Sequence, residues 1–161
     1  MGISKERLIE LFEESATLLE LNGESPFKCR AYSNAARALA QLEGDLLEAV
    51  RDRSLLECPG IGKAIFEKIS EGIQTGRLSF YDELKASTPP GLLEMLKIKG
   101  LGPKKIRTIY DRLGVQDLVG LEYACIENRL VDLPGFGKKT QDKIKILSLP
   151  TLSGEHTLYV Q

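Results

Sequence analysis

The sequence is short of the residues that carry metal and nucleophile chemistry. It has a single histidine, His156, five positions from the end, and three cysteines, Cys29, Cys58 and Cys125. The cysteines are odd in number, far apart and without CxxC spacing, which argues against both a disulfide framework and a zinc site. Cys29 sits between Lys28 and Arg30, a setting that can make a thiol reactive, but the commoner role for such a residue is a small buried hydrophobe. Long apolar runs are also missing. Nothing approaches the roughly 20 uninterrupted apolar residues of a membrane helix, and the amino terminus lacks the apolar stretch of a secretory signal. The expectation is a cytoplasmic protein with no membrane partner. Alternating β-branched patterning is absent until the final HTLYVQ, so the expected fold is all-α.

What is present is enough apolar residue, 42% of 161, to bury a core. The net charge of −1 hides a strong asymmetry. Residues 1–24 carry two basic against six acidic side chains, whereas Lys97 to Arg112 carries six basic side chains against Asp111 alone. The second stretch is suited to meeting an anion.

Along the chain, Ser4 followed by KERLIELFEESATLLELNG predicts a capped amphipathic helix with Leu8, Phe12, Ala16 and Leu19 on one face, stopped at Gly23. Ser25 and Pro26 open a second helix with a thin stripe of Ala31, Ala35, Ala36 and Leu39. A short third helix covers Leu46 to Arg51, and another runs from Ser79 to about Lys85 after a glycine stop at Gly76. The sequence STPPG then breaks the chain. The expected division is a helical unit over 1–86, a second over 87–147, and a tail over 148–161.

One construction occurs three times: Gly60-Ile-Gly62, Gly100-Leu-Gly102 and Gly135-Phe-Gly137, each preceded by a short apolar stretch and followed at once by a helix. Glycine tolerates the positive φ of a sharp reversal and leaves the amides open to close approach. The helix that follows adds its unsatisfied N–H groups and the positive end of its dipole, so the site suits an anion. Tight packing turns are the alternative. They do not call for Lys104 and Lys105 beyond Gly102, or Lys138 and Lys139 beyond Gly137, where cations oppose the dipole unless an external anion is bound. In a repeated all-α frame that anion reads as a phosphodiester, held without base readout and weakened by salt.

These hairpins resemble the helix-hairpin-helix motif of DNA repair proteins. In the order PFKCRAYSNAARAL, LLECPGIGKAIFEKI, LKIKGLGPKKIRTIYDRLG and LVDLPGFGKKTQDKI, the chain over about residues 4–144 resembles the amino-terminal region of bacterial family X DNA polymerases, relatives of DNA polymerase β. The resemblance implies a lyase-like helical domain followed by a DNA-gripping subdomain, and DNA as partner: gapped or nicked duplex with a 5′-phosphate, bound by a monomer. It also implies that Lys63 joins the phosphate-binding set and that hairpin carbonyls hold a sodium or potassium ion. By position these are the carbonyls of Leu56, Cys58 and Ile61, of Leu96, Ile98 and Leu101, and of Val131, Leu133 and Phe136. No other cofactor is required.

Helical periodicity places Lys68 on the flank of the stripe formed by Ile61, Ile65, Phe66, Ile69 and Ile73. There it either becomes a desolvated nucleophile or lays its stem over apolar surface with its charge in water. The resemblance matches Lys68 to the Schiff-base lysine of a 5′-deoxyribose-phosphate lyase, Lys28 and Tyr32 to a 5′-phosphate-binding lysine and its neighbouring tyrosine, and Glu67 to a further position. Where the polymerase β pattern has lysines, this chain has Leu56, Ala64 and Phe80, with Lys63 one step from Ala64. The paired aspartates and sheet domain of the polymerases are absent, so no nucleotide transfer is expected from this chain alone, and a separate catalytic polymerase domain is an implied partner. Three readings stay open: a DNA-binding module, the same module with lyase activity at Lys68, and a helical interaction module or degenerate polymerase fragment whose hairpins only pack.

Overall fold

Ser4 starts the first helix as its hydroxyl accepts the Arg7 amide at 3.1 Å, and α1 runs from Lys5 to Leu21. The computed structural model describes residues 2–144; the expected tail from 148, with His156 and HTLYVQ, lies outside the described residues. Among those described, every regular element is helical. The order is α1, α2 (Pro26–Gln41), α3 (Leu46–Arg51), a 3₁₀ turn (Ser54–Glu57), α4 (Lys63–Thr75), α5 (Ser79–Ser87), α6 (Pro90–Met95), α7 (Pro103–Leu113), α8 (Leu118–Ile126) and a helical segment at 138–144. They form two compact units, Met1–Ser87 and Thr88–Gln161.

In the first unit α1 packs on α2 and α5. Two partners require a wider apolar face than one stripe supplies, so Leu11, Ser15 and Leu18 are buried alongside Leu8, Phe12, Ala16 and Leu19. Ser15 satisfies its hydroxyl on the Leu11 carbonyl at 2.7 Å. On α2, Ala35, Ala36 and Leu39 are buried as the small-residue stripe requires, joined by Cys29 and Tyr32. Burial pushes the Cys29 thiol up, with Glu20 and Glu24 adding to it against the opposing pull of Lys28. That is the setting of a core cysteine, not of a reactive one.

The α4 stripe differs from expectation at one residue. Ile65, Phe66 and Ile69 are buried, but the inward position of the next turn belongs to Gly72, and Ile73 is only half-buried. A Cβ on Gly72 would lie 3.1 Å from Leu8 and 3.2 Å from Leu78, so this glycine lets three elements close together. α5 starts at Ser79 with its partner on another helix: Glu71 on α4 accepts the Ser79 amide at 3.2 Å and the Ser79 hydroxyl.

Tyr81 ties α5 to α1 by donating its hydroxyl to Glu14. Burial, then this hydrogen bond, push the phenol up from its ordinary 10 to about 12. A raised folded-state pKa means the tie contributes in full below pH 10 and is lost as the pH climbs toward 12. Tyr81→Phe is therefore expected to be less stable than wild type at neutral pH, with the difference shrinking across that alkaline window. Urea denaturation of both proteins along a pH series measures it; a difference that stays constant would mean that Tyr81 contributes only packing.

In the second unit the prolines of STPPG do more than break the chain. Pro89 and Pro90 open a short helix, α6, and Gly91 lies in it against the chain at Gln116 and Asp117. Leu92, Met95, Ile106, Ile109, Leu121 and Leu130 fill this unit's core.

Candidate nucleic-acid interface

The three glycine hairpins have the same hydrogen-bond register. In the first, the Cys58 amide donates to Leu55, the Ile61 amide to Cys58 and the Phe66 amide to Gly62, at 3.1, 3.1 and 2.8 Å. In the second, Ile98 donates to Met95, Leu101 to Ile98 and Ile106 to Gly102; in the third, Leu133 donates to Leu130, Phe136 to Leu133 and Gln141 to Gly137. Each apolar residue between the glycines, Ile61, Leu101 or Phe136, thus closes one repeated turn as its last residue.

The two glycines of each hairpin have different causes. Gly60, Gly100 and Gly135 have φ of 95°, 88° and 79°, a left-handed backbone that a side chain rarely adopts. The turn itself requires them. Gly62 and Gly102 have φ of −86° and −85°, ordinary for any residue, and Gly137 is not in the positive-φ region either. A Cβ added at any of these three would meet nothing within 4 Å. Neither backbone conformation nor internal crowding explains the second glycine, which leaves room at the surface for something outside the chain.

The helices beyond these glycines start uncapped, a feature that they share with α6. α1, α2, α3 and α8 are capped by side chains of Ser4, Ser25, Asp45 and Asp117. α4 and α7 begin at Gly62 and Gly102 with no side-chain cap and no acid in the first turn. Their first amides are presented without an acceptor from the protein, on an open face. Lys63, Lys104, Lys138 and Lys139 are exposed beside them and Lys105 is half-buried. Among the described residues none of these lysines is in an ion pair. The result is two helix starts, at Gly62 and Gly102, with uncapped amides beside unpaired lysines, and a third hairpin of the same register followed by Lys138 and Lys139.

A second cluster lies in the first unit. Tyr32 is buried, its ring stacked on Phe80 at 4.8 Å and 5°, and the Lys68 ammonium lies 5.1 Å from the Phe80 ring centre. Burial pushes the Tyr32 phenol up. Tyr32 and Lys68, far apart in sequence, are thus brought onto one aromatic pair, and Phe80 stands where the family pattern has a lysine. Lys28 is exposed one helical turn before Tyr32, 3.8 Å from Glu24 in a surface pair that contributes little. Glu67 is exposed.

Several residues on these surfaces carried no signal strong enough for sequence reading. Phe27 is 80% exposed beside Lys28, and an aromatic next to a lysine at a helix start could have been noticed. Arg53 adopts a left-handed φ of 63° and lies 5.1 Å over the Phe66 ring. Gln141 is buried and orders the third hairpin: its carbonyl accepts the Leu130 amide at 3.1 Å and its amide donates to Asn128 at 2.8 Å. No local pattern marks a glutamine in that role. Gln141→Leu is expected to strand the Leu130 amide and lower the melting temperature, with a cost of about 1–3 kcal/mol; thermal denaturation that matches wild type would mean that water replaces the side chain.

A helix-hairpin-helix domain model matches residues 4–78, and a SAM-like helix-hairpin-helix tandem matches residues 92–146. The chain is 40% identical over 140 residues to DNA polymerase/3′-5′ exonuclease PolX of Bacillus subtilis, a match that covers 87% of this chain and 24% of that protein. It is 28% identical over 123 residues to the Holliday junction branch migration complex subunit RuvA of Acidovorax ebreus, covering 66% of this chain and 65% of that one, and 26% identical over the same length to RuvA of Delftia acidovorans. The chain therefore spans about a quarter of the PolX and just under two thirds of the RuvA proteins that it matches.

Proposed function

We propose that this chain, a helix-hairpin-helix protein related to the amino-terminal region of a bacterial family X DNA polymerase, binds DNA without reading sequence, and that gapped or nicked duplex is its preferred form. The observation that carries the reading is the second glycine of each hairpin, which the fold does not require and which, at Gly62 and Gly102, opens uncapped helix amides to a phosphate. Each hairpin would receive one phosphate oxygen on the first amides of its following helix, with Lys63, Lys104 and Lys105, or Lys138 and Lys139 supplying diffuse positive charge. Contacts of this type fix position on the backbone and leave bases unread. Lys28 and Phe27, both exposed, would meet a 5′-phosphate and an unstacked base at an interruption in the duplex.

Cys58, Ile98 and Leu133 each spend one carbonyl lone pair on the turn. The second lone pair, with the carbonyls of Leu56 and Ile61, Leu96 and Leu101, or Val131 and Phe136, suits a hard monovalent cation such as sodium or potassium. Such an ion would add positive charge where the phosphate approaches.

Fluorescence anisotropy on intact, nicked and one-nucleotide-gapped duplexes at two salt concentrations tests the proposal. The expected result is affinity that falls steeply as salt rises and that is higher for the interrupted duplexes. Salt-independent binding, or none, would leave the hairpins as packing turns.

The alternative, a 5′-deoxyribose-phosphate lyase with Lys68 as Schiff-base nucleophile, rests on Lys68 and Tyr32 both lying against Phe80. Against it, Leu56, Ala64 and Phe80 stand where the family pattern has lysines and so remove positive charge from the 5′-phosphate site. Borohydride reduction on a gapped duplex bearing a 5′-deoxyribose phosphate is expected to trap no adduct. An adduct lost in Lys68→Ala would establish the lyase.

A further inference from the structure

Within the second unit each of the two helices that follow a hairpin sends a lysine to the other hairpin. Lys105, on α7 after the second hairpin, holds its ammonium 5.8 Å from the ring centre of Phe136, between the two glycines of the third. Lys143, in the helical segment after the third hairpin, lies against Gly100 of the second: a Cβ built on Gly100 would be 3.7 Å from the Lys143 Nζ and 3.8 Å from its Cε. Lys143 is exposed, and among the described residues it has no ion-pair partner. The acids nearest to it in sequence, Asp142 and Asp132, are exposed and likewise outside the described ion pairs.

Lys104 and Lys105 already follow the second hairpin on its own helix. A third cation arriving from another helix has no structural function that its stem alone would not serve, because Gly100 offers only backbone to pack on. Resting on the DNA-binding reading above, we infer that Lys143 is a phosphate-positioning residue of the second hairpin. The ammonium beside Gly100 neutralises the phosphate seated on the α7 amides.

A double-mutant cycle on the full chain tests this assignment, with anisotropy on gapped duplex as the readout. Lys143→Ala is combined separately with Gly102→Ser and with Gly137→Ser. Lys143→Ala alone is expected to weaken binding about tenfold and to lower the slope of log affinity against log salt by about one, as for one lost phosphate contact, with Lys143→Arg restoring both. In the cycle, Lys143→Ala should have little further effect once Gly102→Ser has displaced the phosphate from the second hairpin. Coupling to Gly137 instead, or independent effects with both glycines, would overturn the assignment by placing Lys143 on its own hairpin or on a general field. An unchanged affinity for Lys143→Ala, with both glycine variants still weakened, would sink this inference and leave the DNA-binding reading standing. Unchanged affinity in all the variants would remove both.

Discussion

Replacing Gly62, Gly102 and Gly137 together by serine is expected to lower DNA affinity about a thousandfold while leaving the melting temperature unchanged or slightly raised. The opposite signs follow from the geometry of the helix starts. Gly62 and Gly102 have φ, ψ of −86°, 178° and −85°, 173°, close to the −70°, 161° of Ser4, which caps α1. A serine there meets no neighbour within 4 Å, and its hydroxyl can accept an amide of the following turn as Ser4 accepts Arg7 and Ser25 accepts Lys28. As a cap it stabilises its helix by a few tenths of a kcal/mol over glycine. The same hydroxyl occupies the place of the phosphate oxygen. Losing one charge-assisted hydrogen bond costs about 1.5 kcal/mol, roughly tenfold in affinity for each hairpin engaged. Binding by anisotropy and melting by circular dichroism measure the two effects on one protein. If affinity survives, the second glycines are turn residues only.

The first glycines should behave in the reverse sense. Alanine at Gly60, Gly100 or Gly135 must adopt the left-handed region, at a cost of about 1–2 kcal/mol, so stability falls before binding is probed. A bulky substitution at Gly100 is therefore a poor test of phosphate contact, and one at Gly102 a good one.

Gly91→Ala is expected to be the most damaging methyl in the second unit. A Cβ on Gly91 would lie 1.8 Å from the Gln116 carbonyl oxygen and 2.8 Å from its carbon, distances that backbone atoms cannot accept. α6 must move away from the chain entering α8, and its neighbours Leu92 and Met95, both fully buried, move with it. The cost is about 3 kcal/mol, at the upper end for overpacking, and for a unit of this size it lowers the melting temperature by more than ten degrees. Gly102→Ala, where the added methyl meets open space, is the matched control. Equal melting temperatures for the two variants would mean that α6 shifts at little cost.

Local patterns in the sequence specify most of the helices. Ser4 and Ser25 are read as caps because a hydroxyl before an amphipathic run has few other uses, and both cap in the structure. The three Gly-x-Gly hairpins are legible for the same reason: each is a short, self-contained turn whose register depends on neighbours within about six residues. α6 was hidden because a Pro-Pro-Gly run reads as a break, although proline at the first positions of a helix is favourable.

By itself, then, the sequence determined the all-helical class, the repeated hairpins and the cations that follow them, since each is encoded by residues adjacent in the chain. Only the tertiary structure decided which glycine of each pair the turn requires, that Gly72 replaces Ile73 in the core, that Lys68 lies on a Tyr32–Phe80 stack, and that Lys143 reaches the second hairpin. Those facts depend on φ angles and on atoms brought together from distant positions, which spacing along the chain does not specify.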